Sequence, residues 1–139
     1  MIRDGAVVYE AVYPHPVQRV WRALVDPAEL AEWLMPSAGF APVVGQRFTM
    51  ACDPFGEIEA EVLECAPPRR LLLRWNAAFG VTEVCLTLSP EGDGTRLTLV
   101  HRGWDDYAAA VRDQFGSGWD GKLGERLLAL LDRVPGPAA

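Results

Sequence analysis

The chain has 139 residues, half of them hydrophobic and 23% charged, which is typical of a single globular domain. Its formal net charge of -6 argues against nucleic acid or an anionic membrane as a partner, since both need a basic surface. No apolar run approaches the roughly 18 residues of a membrane span and no secretory signal opens the chain, so we expect a cytoplasmic protein. The cysteines Cys52, Cys65 and Cys85 are widely spaced, which favours reduced thiols over disulfides.

One strand and two short helices are predicted at the start of the chain. β-branched and aromatic residues at positions 7–13 indicate the strand. The first helix begins at Pro16, and its apolar stripe with 3.6-residue spacing leaves Arg19 on the outside. The second helix is expected to be capped by Asp26, with Glu29 three residues later in the position of a capping box.

Short alternating strands fill the middle of the chain, after a predicted loop at 37–45. In 57–62, apolar residues alternate with glutamates, so one face is core and the other is solvated. Turns at Asp53–Gly56 and Glu91–Gly94 separate successive strands, which predicts an antiparallel meander. The inward rows of the later strands are Leu71, Leu73 and Trp75, then Val84, Leu86 and Leu88, then Leu97, Leu99 and His101.

The last part of the chain is predicted to be helical. A short helix covers Asp105–Phe115, and Ser117 with Asp120 forms a capping-box pattern for a longer final helix. Gly121 and Gly124 lie in its first turns and either let the helix approach the sheet closely or leave an unfilled space. The apolar stripe of this helix is Trp119, Leu123, Leu127, Leu130, Leu131 and Val134.

Together these elements predict an α+β fold. A curved antiparallel sheet wraps around the long C-terminal helix, and two short helices follow the first strand. We expect one domain spanning 1–134 and a disordered tail at 135–139. Because such a sheet usually leaves a space beneath the helix, the function is expected to lie in an internal cavity.

The candidate site is therefore a cavity wall. Aromatic and flexible apolar side chains suit a small-molecule pocket, and an indole also supplies a polar N–H. No serine stands on a nucleophile elbow and no His or Cys pair has metal-ligand spacing, so we expect no catalytic residue, metal or cofactor. The predicted lining residues are Trp33, Phe40, Phe48, Met50, Trp75, Leu86, His101, Trp104, Phe115 and Trp119.

His101 has two interpretations. As a structural residue it would be buried and hydrogen-bonded to the backbone, which is the favoured role. As a functional residue it would donate to a ligand carbonyl or act as an acid-base group near neutral pH. Asp105 and Asp106 either cap a helix, the favoured role, or place a carboxylate at the mouth of the cavity.

Several short segments lie in order and at characteristic spacings across about residues 7–134: Pro16, Val20–Leu24, Asp26-Pro27, Trp33, Asp53–Gly56, Pro67–Leu71, Trp75, Gly94–His101, Gly118-Trp119 and Leu123. As a set, these segments resemble the activator of heat-shock-protein-90 ATPase homologue-like family. The resemblance implies the helix-grip fold of the START-like superfamily, which also contains polyketide cyclases, birch-pollen-allergen-like proteins, lipid carriers and antibiotic-sequestering proteins.

Three functions compete. The leading hypothesis is a non-catalytic carrier or sequestering protein, with a stress-related role included, that holds a small hydrophobic or aromatic molecule in the cavity. The alternatives are a chaperone-interacting module, as the resemblance suggests, and a polyketide-cyclase-like enzyme in which His101 assists enolisation. A homodimer through a sheet edge or the outer face of the final helix is also open.

Overall fold

The structure is a computed structural model that describes residues 2–52, 56–104 and 108–133. Within these residues it has eight strands and four α-helices, and a π-helical turn lies between the last two helices. The strands are β1 (Ile2–Arg3), β2 (Ala6–Tyr13), β3 (Ser37–Ala38), β4 (Arg47–Ala51), β5 (Glu57–Ala66), β6 (Arg70–Ala77), β7 (Gly80–Glu91) and β8 (Gly94–Arg102). The helices are α1 (Val17–Val25), α2 (Pro27–Trp33), α3 (Ala109–Gly121), the π turn (Lys122–Arg126) and α4 (Leu127–Arg133).

All eight strands form one antiparallel sheet in the order β1-β2-β8-β7-β6-β5-β4-β3. The strands β3 to β8 form the predicted meander, and β2 pairs with β8 on its far side. The segment α3, the π turn and α4 form one continuous C-terminal helix, whose apolar stripe is buried against the inner face of the sheet. The predicted α+β helix-grip fold is confirmed. No helix among the described residues is long and apolar enough to cross a bilayer.

The inner face of the sheet is built from registered rows of apolar side chains. One row crosses five strands through Val62, Leu73, Val84, His101 and Val7, all of them buried. Because side chains alternate along a strand, this register places the single polar member, His101, among hydrophobic neighbours. His101 has no access to solvent because it lies on the inner face of the sheet, within this row.

The two short helices follow the sequence closely, with one correction. The Asp26 carboxylate accepts hydrogen bonds from the backbone N–H groups of Ala28 and Glu29, as a helix cap should. The prediction that Arg19 lies outside is wrong: it is 3% exposed, and its guanidinium donates to Glu29 at 2.8 Å. The Glu29 carboxylate also lies 3.1 Å from the Arg22 guanidinium. Glu29 therefore forms ion pairs with two arginines of α1 and does not close a capping box. The helix α2 packs against α1, which no pattern within α1 can indicate.

Three further expectations need correction. The strands β1 and β3 were not predicted, because two residues at a sheet edge carry no readable alternation. The predicted break before the final helix does not occur, since α3 runs continuously through Ser117 and Asp120. Neither residue caps a helix there. The predicted turn residues at 53–55, the pair Asp105 and Asp106, Val134 of the predicted helix stripe, and the predicted tail at 135–139 lie outside the described residues.

Two tyrosines of β2 lie close to the π turn of the C-terminal helix. The Tyr13 hydroxyl is buried and donates to the backbone carbonyl of Leu123 at 2.7 Å. A Cβ added to Gly124 would lie 2.8 Å from the Tyr9 hydroxyl, whereas one added to Gly121 would meet nothing within 4 Å. The sequence allowed these glycines either to bring the helix close to the sheet or to leave an unfilled space. Gly124 brings the helix close to the sheet, and Gly121 has open space around it.

Candidate functional site

Six ring-bearing side chains meet between the sheet and α3, and we call them the aromatic cluster. Five are buried, and Trp104 is partly buried. Neighbouring ring centroids lie 4.4 to 6.0 Å apart, mostly in edge-to-face or tilted arrangements, which is the preferred geometry of aromatic contacts. The cluster consists of Trp75 on β6, Phe79 in the turn after it, His101 on β8, Trp104, and Phe115 and Trp119 on α3.

His101 uses both of its ring nitrogens within the protein. The indole N–H of Trp119 donates to Nδ1 at 3.3 Å, and Nε2 lies 2.9 Å from the hydroxyl oxygen of Thr82. An indole nitrogen can only donate, so Nδ1 must be the acceptor and the proton of the neutral ring must sit on Nε2. The Nε2–H group therefore donates to Thr82. His101 is buried and hydrogen-bonded, as in its favoured structural role, but its ring partners are the side chains of Trp119 and Thr82 and not the backbone.

The surroundings of His101 keep it uncharged. The side chain is fully buried, and burial lowers its pKa to about 3 from an ordinary value of 6.5. Protonation at Nδ1 would also set a second N–H against the donor of Trp119. An acid-base role near neutral pH, as a cyclase-like enzyme would need, is not supported by this environment.

The three indole N–H groups of the cluster differ in their partners. Trp119 donates to the His101 ring, and Trp104 donates to the His101 carbonyl at 3.1 Å. The Nε1–H of Trp75 is buried and has no acceptor among the described residues. A buried donor without a partner costs about 1 to 3 kcal/mol, so such a group calls for a specific explanation.

Phe115 supplies the central ring of the cluster. Its centroid lies 5.3 Å from Phe79, 5.4 Å from His101, 5.6 Å from Trp104 and 5.9 Å from Trp75. This ring is 4% exposed and occupies space between the sheet and α3 where the sequence predicts a cavity. Ligand binding at this point would require Phe115 to move.

The comparisons with known proteins agree on one family. The sequence matches the family model described as "Activator of Hsp90 ATPase homolog 1-like protein" over residues 14–132. The chain belongs to this family. The resemblance in the sequence is thus confirmed, together with the place of the chain among START-like, polyketide-cyclase-like folds.

Solved structures similar to this family member cover most of its chain. Protein MLL2253 from Mesorhizobium loti is 35% identical with a TM-score of 0.86, and the match covers 93% of this chain and 98% of that one. CalU16 from Micromonospora echinospora is 30% identical with a TM-score of 0.78, covering 95% and 77%. DynU16, from the dynemicin biosynthetic locus, is 28% identical with a TM-score of 0.78; the match covers 94% of this chain but about half, 48%, of DynU16. No curated protein sequence matches.

The predicted lining residues fall into separate groups in the structure. Trp75, His101, Trp104, Phe115 and Trp119 meet in the aromatic cluster. The buried residues Phe48 and Met50 lie on β4, where Phe48 packs edge to face with Phe40 at 5.0 Å. Leu86 is buried in the middle of β7. Trp33 lies on α2 and donates to the Ala23 carbonyl at 2.8 Å, so its polar group serves the contact between α1 and α2.

Sequence reasoning missed three side chains at the cluster. Phe79 precedes a glycine in a turn and stacks on Trp104, with centroids 5.3 Å apart. Thr82 is buried on the inward face of β7, at a position where the alternation predicts an apolar residue. A polar residue in the inward row was the feature of the sequence that could have identified it. Lys122 places its ammonium 5.9 Å from the centroid of Trp119, a cation–π contact, and burial lowers the pKa of this amine.

A polar groove of about 520 Å³ lies on the opposite, outer face of the sheet. Its Arg74 and Arg47 both approach Glu61, at 2.8 and 3.6 Å, so its charges largely neutralise one another. Among the described residues, no three His, Cys, Asp or Glu side chains converge in the way that a metal site requires. The aromatic cluster is therefore the strongest candidate for a functional site.

Proposed function

We propose that this protein binds a small hydrophobic, aromatic molecule inside the helix-grip fold, at the aromatic cluster, as a carrier or sequestering protein. The observation that carries the proposal is the position of Phe115, a plain apolar ring surrounded by four other rings and borne by α3. An aromatic ligand that took the place of this ring would inherit its edge-to-face contacts. The exchange would conserve most of the buried aromatic surface.

The composition of α3 supports the movement that such binding needs. Gly116, Gly118 and Gly121 each cost about 1 kcal/mol of helix stability relative to alanine. Over the described part of α3, only Phe115 and Trp119 are buried within the helix. The π turn behind α3 is held by the hydrogen bond from Tyr13 to the Leu123 carbonyl, which would keep this turn docked while α3 shifts. Segments with few buried contacts are the ones that open locally.

The relatives support the same kind of ligand. CalU16 and DynU16 are similar structures, and DynU16 comes from a biosynthetic locus, which fits a protein that handles a small organic molecule. The three cysteines, all within the described residues, form no disulfide, which fits the expected cytoplasmic location. The proposed site lies within one chain, so a homodimer is not required for binding.

The test is binding of a neutral fluorescent aromatic amine, N-phenyl-1-naphthylamine, to the wild type and to Phe115→Ala. We expect saturable one-to-one binding to the wild type. The variant should bind more tightly because the ligand no longer has to displace the ring. An apolar cavity made in this way stays dry and accepts aromatic molecules. The measurement is a fluorescence titration, supported by native mass spectrometry of protein purified from its own host.

The matched control is Phe40→Ala, which removes an equally buried phenylalanine ring outside the cluster. Both variants should lose about 3 to 5 kcal/mol of unfolding free energy, but only Phe115→Ala should gain affinity for the probe. Non-saturable binding to the wild type, with a bare polypeptide mass from the host, would contradict the proposal. Capture of a chaperone by that same preparation would favour the chaperone-interacting alternative.

A further inference from the structure

We propose that the interior site selects neutral molecules that carry a carbonyl oxygen, and that the Nε1–H of Trp75 is the donor that recognises this oxygen. This inference rests on the proposed function and names the chemical class of its ligand. It starts from the unequal hydrogen bonding of the indoles in the aromatic cluster. Two of them donate to His101, and Trp75 alone has no acceptor among the described residues.

The ring of Trp75 borders the space that the proposed ligand would occupy. Its side chain is 0% exposed, and its ring contacts both Phe115 and His101, with centroids 5.9 and 5.0 Å away. A molecule that replaced the Phe115 ring would therefore lie against the indole of Trp75. An oxygen on that molecule would satisfy a donor that has no acceptor among the described residues.

The neighbours of Trp75 favour a neutral acceptor over a carboxylate. The aromatic cluster contains no charged member, because His101 is held in its neutral form with both nitrogens engaged. One N–H would compensate poorly for the loss of hydration of a buried carboxylate. A carbonyl group has a much smaller hydration cost and needs only one or two donors. The ligand class is therefore a flat aromatic ketone, aldehyde or quinone.

Three probes that share the fluorene ring system test this inference: 9-fluorenone and fluorene, which are nearly equal in shape, and the bulkier fluorene-9-carboxylate. We expect fluorenone to bind the wild type about fivefold more tightly than fluorene, the effect of one net hydrogen bond. The carboxylate should bind most weakly. If the carboxylate bound most tightly of the three probes, the inference would be wrong. An ammonium such as that of Lys122 would then be the group that binds the ligand.

The variant is Trp75→benzothienylalanine, in which a sulfur atom replaces the indole N–H and the ring size is kept. The fivefold preference for fluorenone should disappear, and the infrared carbonyl band of bound fluorenone should return to its non-hydrogen-bonded frequency. The same replacement at Trp33, outside the cluster, is the control and should leave both readouts unchanged. If wild-type binding is weak, the same comparison is made in the Phe115→Ala background.

The outcomes separate this inference from the proposed function. If fluorene and fluorenone bind equally to the wild type and to the Trp75 variant, the interior accepts aromatic molecules but the carbonyl inference is wrong. The N–H of Trp75 would then be satisfied by an aromatic face or by water. If neither probe binds the wild type or Phe115→Ala, the proposed function itself fails.

Discussion

At the scale of single residues, the hydrogen bonds of His101 determine its protonation state. The Trp119 indole can only donate, so the Nδ1 atom that receives it must carry a lone pair. In the unfolded chain this constraint vanishes, and the histidine returns to an ordinary pKa near 6.5. Folding therefore couples to protonation at this residue.

This coupling predicts a dependence of stability on pH. Between pH 6.5 and about 3, the unfolded state binds a proton that the folded state does not, so the free energy of unfolding falls as the pH is lowered through this window. The slope due to His101 approaches about 1.4 kcal/mol per pH unit below pH 6. We expect His101→Gln, which retains an acceptor for Trp119 and a donor for Thr82, to lose this part of the slope.

The measurement is urea unfolding of the wild type and His101→Gln at pH 7.5, 6.5, 5.5 and 4.5. Titration of surface carboxylates is common to both proteins, so only the difference between the two curves reports His101. Parallel curves would mean that the histidine accepts a proton in the folded state without penalty.

At the scale of elements, Gly121 and Gly124 of the C-terminal helix have different environments. A Cβ at Gly121 has free space around it, whereas one at Gly124 would lie 2.8 Å from the Tyr9 hydroxyl. The neighbouring Tyr13 hydroxyl holds the carbonyl of Leu123. The close approach of β2 to the π turn is therefore the reason that a side chain is absent at position 124.

We predict opposite effects for two identical substitutions in this helix. Gly121→Ala should raise the free energy of unfolding by about 1 kcal/mol, because alanine favours the helix and meets no neighbour. Gly124→Ala should lose that gain and destabilise the protein, since the Tyr9 ring must shift. Adding Tyr9→Phe should rescue Gly124→Ala, and thermal unfolding measures all three effects. Equal stabilisation by both alanines would show that Tyr9 does not restrict the helix.

At the scale of the whole molecule, we divide the structure into a body and α3, a helix of 13 residues that buries two side chains, whereas the 7 residues of α4 bury three. The body contains the sheet, α1 and α2, and α4, and a buried Arg19–Glu29 ion pair joins the two short helices. By contrast, α3 has glycines at three positions and buries two side chains. Opening of α3 is the motion by which a ligand would reach the aromatic cluster.

This division predicts the pattern of amide hydrogen exchange. Amides of α3 should exchange at least about tenfold faster than those of α4, because local opening exposes α3 without unfolding the sheet. A bound aromatic probe should slow the exchange of α3 selectively. Exchange of α3 at the rate of α4, with or without a probe, would contradict opening as the route to the site.

Much of the candidate site could be predicted from the sequence, since alternation along the strands placed Trp75 and His101 on the inner face. The partners of these residues could not, because the donor of Trp119 and the hydroxyl of Thr82 reach His101 from other elements. Arg19 was missed for the same reason: its ion-pair partner belongs to α2. Phe79 lies in a turn, where no periodicity assigns a side chain to a face.

The sequence by itself determined the order of the major elements, the inner face of the sheet and the family, because periodicity and local motifs are properties of neighbouring residues. Only the tertiary structure decided the neutral state of His101, the burial of the Trp75 N–H without an acceptor among the described residues, and the central position of Phe115. These features arise where β6, β8 and α3 converge. A hydrogen bond or ring contact between residues distant in the chain depends on that convergence, and no local pattern encodes it.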